Sequence, residues 1–180
     1  MTDSERLDGD VDRVMLDIET MGLEPGSAIL SIGACRFDAH GIGETYYDEI
    51  DIDSCLEAGL EIDNDTREWW SDQPEQLVPD GDKPIGVSLV SFSQWLRSET
   101  FDEIWANSPS FDLAILETAY ELTDYQVPWK FYETRDVRTV RSLPCAVELE
   151  MDGREHHALD DAVHQAREVA ATLEVIEDVD

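Results

Sequence analysis

The sequence predicts an α/β protein: a mixed sheet of about five strands, an antiparallel meander followed by parallel strands, flanked by helices. Two patterns and a size lead there. Short strand-like runs separated by turn residues fill the segment from Arg13 to Ile50. Helical periodicities then alternate with two further short strand patterns to the end of the chain. At 180 residues, 42% of them apolar, the chain has the size of one domain with a real core. The expected boundaries are an acidic tail over residues 1–10 and one domain over residues 11–180.

The first strand runs from Arg13 to Glu19, where Val14, Leu16 and Ile18 alternate with Met15, Asp17 and Glu19. Side chains two apart on a strand share a face, so Asp17 and Glu19 stand about 7 Å apart along it. Like charges so placed repel, and one takes up a proton unless a cation lies between them. The plain alternative is a solvated strand end. Met21 to Gly26 is a turn in which Gly22 and Gly26 can take positive φ. Ala28 to Phe37 forms the second strand, and Gly41-Ile42-Gly43 turns the chain into a third, Thr45 to Ile50.

Asp53 to Gly59 suits a short helix. Asn64 or Asp65 caps another that carries Trp69, Trp70 and Gln73 and stops before Pro74. Val78 to Pro84 is a loop. Leu89, Phe92 and Leu96 have helical spacing within Ser88 to Arg97. Glu103 to Asn107 is the fourth strand. Ser108 as cap and Pro109 in the first turn open a helix striped by Phe111, Ile115, Ala119 and Leu122. Lys130 to Glu133 is the fifth strand, and Asp136 caps a helix through Leu143. Pro144 to Gly153 connects to the last helix, from His157 or Ala158 to Ile176.

The charge is extreme. Forty-three acidic residues face twelve basic ones, for a formal net charge of -31. Only Lys83 and Lys130 are lysines. The acids are spread through periodic apolar segments, which argues against a disordered tail as their source. Self-repulsion of this size strains a compact fold in dilute buffer, and molar salt, with a Debye length of about 3 Å, removes most of it. The acid-rich, lysine-poor composition resembles that of proteins from extreme halophiles, so the acidity reads as adaptation to solvent. Cys35, Cys55 and Cys145 lie far apart with no CxxC spacing, and read as core residues of a reducing cytosol. The polar first ten residues are unlike a signal peptide, and no apolar run has membrane-spanning length. A cytoplasmic protein with no membrane partner is expected.

Three segments place acids beside a structural transition: Asp17 and Glu19 on the first strand; Asp112 in the first turn of a helix just past a strand end; and His156-His157-Ala158-Leu159-Asp160-Asp161 opening the last helix. Asp-x-Glu-Thr, Phe-Asp and His-x-Ala-Leu-x-Asp in this order resemble the DEDDh-type 3′–5′ exonucleases, the proofreading-exonuclease superfamily on an RNase H-like fold. The resemblance extends from about Val14 to Ala170. Leu16-Asp-Ile-Glu-Thr-Met-Gly22, Trp69-Trp70-x-x-Gln73, Trp105 to Asp112 and Arg135-Asp-Val-Arg-Thr139 are similar to a small single-domain branch that includes phage exonucleases and bacterial exoribonucleases.

The resemblance implies that Asp17, Glu19, Asp112 and Asp161 hold two divalent cations, Mg²⁺ or Mn²⁺, with Asp17 bridging both, and that His156 is the general base. Phosphodiester hydrolysis needs an activated water and a stabilised leaving oxyanion, and two hard cations roughly 4 Å apart serve both ends. The helix wheel leans only weakly toward Asp161 over Asp160; the family spacing selects His156 and Asp161. His157 and Asp160 are then solvated cap residues. By the same resemblance Met21, Gly22 and Leu23 touch the terminal base, and of Trp69 and Trp70 the second is taken as substrate-facing. Arg135 and Arg138 either hold phosphate or pair with the abundant acids.

The implied activity is metal-dependent 3′–5′ release of nucleoside 5′-monophosphates from single-stranded or 3′-overhanging RNA or DNA. A homodimer is common among similar proteins. Rival readings are an endonuclease on the same fold, a non-catalytic nucleic-acid-binding module, and an acidic partner-binding protein.

Overall fold

The computed structural model describes residues 12–177; the expected tail over residues 1–10 lies outside them. Five strands, β1 (Arg13–Thr20), β2 (Ile29–Asp38), β3 (Gly41–Glu49), β4 (Glu103–Ala106) and β5 (Thr134–Asp136), form one sheet in the order β3-β2-β1-β4-β5. β1 pairs antiparallel with β2, and β2 with β3; β1 with β4 and β4 with β5 are parallel. The meander-then-parallel arrangement is the one the sequence predicts. Six α-helices complete the described chain: α1 (Ile52–Glu57), α2 (Asn64–Ser71), α3 (Ile85–Ser98), α4 (Asp112–Leu122), α5 (Val137–Arg141) and α6 (Ala158–Glu177).

The alternation of β1 sorts its side chains between two cores. Val14, Leu16 and Ile18 join Ile32, Ala34, Ile104 and Ala106 in packing against Leu89, Phe92 and Leu96 of α3 and Ile115 and Leu116 of α4. Met15 turns the other way, to Cys35, Trp105, Val137 and the α6 residues Ala162, Ala166 and Val169. Asp17 and Glu19 follow Met15 at period two, so they leave the sheet on the α6 face, at the end of β1.

Several boundaries differ from expectation. The β2–β3 turn lies at Ala39–His40, where Asp38 Oδ1 accepts from the His40 and Gly41 N–H groups and Gly41 takes φ 130°. Gly41 to Gly43 therefore already belong to β3. Asp63 caps α2, accepting from Thr66 N–H, in place of Asn64 or Asp65. Lys130 to Glu133 is not a strand: Phe131–Glu133 is a single tight helical turn, and β5 begins at Thr134. Ser108 and Pro109 lie in a turn ahead of α4, whose first residue is Asp112. On α4 the buried face is Leu113, Ile115, Leu116, Ala119 and Tyr120, whereas Leu122 is exposed. Cys35 and Cys55 are buried and Cys145 is half-buried. No described helix is long and apolar enough to cross a membrane.

Candidate active site

β1 delivers Asp17 and Glu19 to the α6 face, and one contact brings α6 to meet them. Asp17 stands opposite Gly33 on β2. A β-carbon on Gly33 would lie 2.2 Å from the Ala158 carbonyl carbon and the Leu159 nitrogen. The first turn of α6 thus rests on bare backbone beside Asp17, and Asp161 follows within one turn. Asp161 also closes its own cap: its N–H donates to the His157 carbonyl at 3.0 Å, and its Oδ2 accepts from His157 N–H at 3.2 Å.

Asp17, Glu19 and Asp161 each offer a carboxylate oxygen such that the three lie within 4.8 Å of one another. Asp112, buried at the start of α4, accepts from Ser108 N–H at 3.2 Å and also from the backbone of Ile18. Of the neighbouring acids it acts most strongly on Asp17. The four acids of the sequence therefore converge. Asp160 does not join them; its Oδ2 accepts from Arg154 N–H and Nε.

Withdrawal from water raises all four carboxyls, and repulsion from the other acids of the cluster adds to it for Asp17 and Glu19. Loss of solvent is the largest cause for Asp17, followed by the charges of Asp112 and Glu19, and a hydrogen bond from Gln165 opposes them. Glu19 is pushed up to about 8 by burial, then by Asp161 and Asp112. Burial lifts Asp112 to about 6 against its backbone hydrogen bonds and the charge of Arg138. Asp161 is raised by burial, against the His157 N–H bond. Cations held between the carboxylates would reverse this, and an all-oxygen donor set suits hard divalent ions such as Mg²⁺ or Mn²⁺.

His156 lies just before α6, exposed, with φ 59°. Its ring meets Trp69 edge-on at 4.9 Å. Its charge acts on Asp161, so it borders the acids. His157 caps α6 as expected, its carbonyl accepting from Asp161 N–H, but it is largely buried and not solvated. It stacks on Tyr47 at 4.5 Å, its Nδ1 accepts from Asp160 N–H, and its Nε2 meets Arg154. Tyr47 of β3, together with Arg154 and Asp160, holds the entry to α6 in place.

An open groove of about 1050 Å³ lies beside Glu19, lined among others by Leu23, Asp63, Trp69, Trp70 and Phe111. Trp70 corrects the expectation placed on it. It is only 3% exposed, and its indole N–H donates to the Thr20 carbonyl at 2.9 Å. Trp69 is the exposed ring of the pair, at 41%. The Met21–Leu23 turn is pinned by Met21 N–H to Ala28 O and by Thr20 Oγ1 to Gly22 O. Leu23 projects to solvent. Gly26 takes positive φ, 98°, whereas Gly22 is crowded: a β-carbon there would fall 2.4 Å from Ser27 Oγ, so that side chain would have to move.

Arg135 and Arg138 divide. Arg135 binds Glu103 and the carbonyls of Tyr132 and Thr134, a structural arrangement. Arg138 sits in the first turn of α5 with an exposed side chain whose charge reaches Asp112. Two residues at the site escaped the sequence reading, Gln165 and Gly33. Gln165 had a signal: it is four residues past Asp161, hence on the same helix face. Gly33 had none, since only the docking of α6 gives it a role.

The sequence from residue 12 to residue 173 matches the family described as the 3′–5′ exoribonuclease Rv2179c-like domain. No curated protein matches the sequence. The fold is similar to the nuclease domain of 3′hExo, a DEDDh family member whose structure was determined bound to rAMP, with a TM-score of 0.63 and 15% identity over 94% of this chain and 95% of that one. It is also similar to cell-death related nuclease 4, CRN-4, with a TM-score of 0.58 and 15% identity over 91% of this chain and 64% of the other. These likenesses place the sheet and its helices in the RNase H-like architecture of DEDDh nucleases. The family match, which extends over nearly the whole described chain, makes this protein a member of the Rv2179c-like 3′–5′ exoribonuclease domain family and a 3′–5′ exonuclease.

Proposed function

We propose that the protein removes nucleoside 5′-monophosphates one at a time from the 3′ end of single-stranded or 3′-overhanging nucleic acid, RNA before DNA. The observation that carries the reading is the convergence of three carboxylate oxygens within 4.8 Å, with a fourth buried acid beside them, all raised in pKa. Unneutralised, such a cluster costs stability, and a binding module has no use for it. The description of the matching family as exoribonuclease supports RNA as the first substrate.

Asp17, Glu19, Asp112 and Asp161 would hold two divalent cations, Mg²⁺ or Mn²⁺. Once bound, these would lower the pKa of the attacking water and stabilise the leaving 3′-oxygen. His156 takes the proton of that water at an imidazole nitrogen, the side-chain type best suited to accepting a proton in a hydrolytic site. The water oxygen forms a bond to phosphorus as the bond to the 3′-oxygen of the shortened chain breaks; that oxygen gains a proton from solvent. Leu23 and Trp69 border the groove where the terminal base lies, a stacking contact worth about 1–3 kcal/mol. The Met21–Gly22 backbone holds that edge of the groove. The net charge of -31 offers the phosphate backbone little attraction, so affinity rests on the cations, on stacking and on fit.

The deciding experiment is digestion of 5′-end-labelled single-stranded RNA and DNA in high salt with Mg²⁺ or Mn²⁺. A ladder shortening from the 3′ end with 5′-monophosphate products supports the reading. Nicking of a circular substrate, or activity that survives Asp17→Ala, overturns it.

A further inference from the structure

Gln165 lies on α6 one turn past Asp161 and is 5% exposed. Its Nε2 donates to Asp17 Oδ1 at 2.9 Å. Among the described residues its Oε1 is buried without a hydrogen-bond partner. The neighbouring core residues of this helix, Ala162, Ala166 and Val169, are small and apolar. Packing alone would be served at least as well by an apolar side chain, since a buried amide with an unmatched oxygen is unfavourable. The polar group is therefore there for the one bond it makes.

We propose that Gln165 is a positioning residue that sets the rotation of the Asp17 carboxylate for cation binding. The inference rests on reading the four acids as a cation site. The terminal torsion of an aspartate is broad, so backbone placement alone leaves the carboxylate plane free to turn. A donor on Oδ1 fixes that plane and leaves Oδ2 and the second lone pair of Oδ1 for cations. The donor is neutral, which matters here. Lysine or arginine in this place would neutralise Asp17 and compete with the cation; an amide orients the carboxylate and leaves its charge available. The amide also has a fixed sense, because Oε1 facing an ionised Asp17 would set acceptor against acceptor. Since Gln165 and Asp161 stand on one helix, α6 supplies one carboxylate and aligns another, and the geometry between them is set by a single rigid element.

The test is Mn²⁺ titration of the whole protein by calorimetry in high salt, comparing wild type, Asp17→Ala and Gln165→Met, which keeps length and removes the donor. Thermal melts without metal and kcat and KM on a single-stranded oligonucleotide accompany it; Gln165→Leu serves if the methionine variant does not fold. The expected result is Mn²⁺ affinity weakened about 10- to 100-fold, kcat lowered with KM for the oligonucleotide unchanged, and a metal-free Tm equal to or above that of wild type. Affinity and kcat within twofold of wild type overturn the proposal, as does a loss of affinity that only tracks a fall in Tm. If wild type binds Mn²⁺ and Asp17→Ala abolishes that binding while Gln165→Met leaves it intact, the proposal for Gln165 fails alone. If wild type binds no Mn²⁺, the cation-site reading fails and takes this one with it.

Discussion

Gly33 on β2 and Ala158 at the start of α6 touch backbone to backbone: a β-carbon on Gly33 would meet the Ala158 carbonyl carbon at 2.2 Å. Real structures do not hold such a contact, so any larger residue forces the helix off the sheet. Gly33 stands opposite Asp17, and Asp161 is three residues beyond Ala158. The contact therefore sets the distance between two walls of the acidic site. Gly33→Ala should lower stability by about 1–3 kcal/mol, the usual cost of overpacking. At about 2–4 °C per kcal/mol for a chain of this size, the melt falls by several degrees. Turnover should fall further than stability predicts, because Asp161 is displaced from Asp17. Calorimetry and a nuclease assay well below the new Tm separate the two effects.

The raised carboxyls make the metal-free protein sensitive to pH in an unusual direction. A group whose pKa is higher in the folded state binds more protons when folded than when unfolded, so stability falls as pH rises between the two values. For Glu19 that window runs from 4.5 to about 8, and for Asp112 from 3.8 to about 6. The metal-free Tm should therefore be higher near pH 5 than at pH 8. Saturating Mn²⁺ should remove most of the difference, since it stabilises the ionised cluster. A flat profile without metal would contradict the clustering.

Removing one acid should relieve the same repulsion. Asp17→Ala and Asp161→Ala should each reduce nuclease activity by about 10³-fold or more, while the metal-free Tm stays level or rises. Circular dichroism melts with product assays read both quantities. Normal turnover of either variant in Mn²⁺ would refute the assignment of these acids.

The adjacent tryptophans should separate cleanly. Trp70 is buried and bonded to Thr20, so Trp70→Ala should cost about 3–5 kcal/mol of stability. Trp69 is exposed beside His156 and the groove, so Trp69→Ala should leave Tm nearly unchanged and raise KM by about tenfold or more, the loss of about 1–3 kcal/mol of stacking. Chemical denaturation and steady-state kinetics measure the two.

With a net charge of -31, stability should also climb with salt. Raising KCl from 0.1 M to molar concentration shortens the Debye length from about 10 Å to about 3 Å. The Tm should rise over that range, and a Tm independent of KCl would rule out solvent adaptation as the meaning of the acidity.

The sequence by itself determined the strand alternation that puts Asp17 and Glu19 on one face, the order of strands and helices, and the helical start that carries Asp161. Each follows from local periodicity or a local cap, which depend on residues only a few positions apart. It misjudged the β2–β3 turn, the cap of α2 and the start of β5, where one turn-forming residue competes with another a position or two away. It also took Trp70 rather than Trp69 as the substrate-facing ring, because adjacent residues on a helix differ by about 100° and the tertiary contact of Trp70 with the Thr20 carbonyl is not written in the local pattern. The tertiary structure alone decided the rest: that Gly33 admits α6, that Gln165 reaches Asp17 across 148 positions of sequence, and that His157 packs on Tyr47 while His156 stays exposed beside Trp69. Those relationships join segments far apart in the chain, and no pattern within one segment encodes the distance between two.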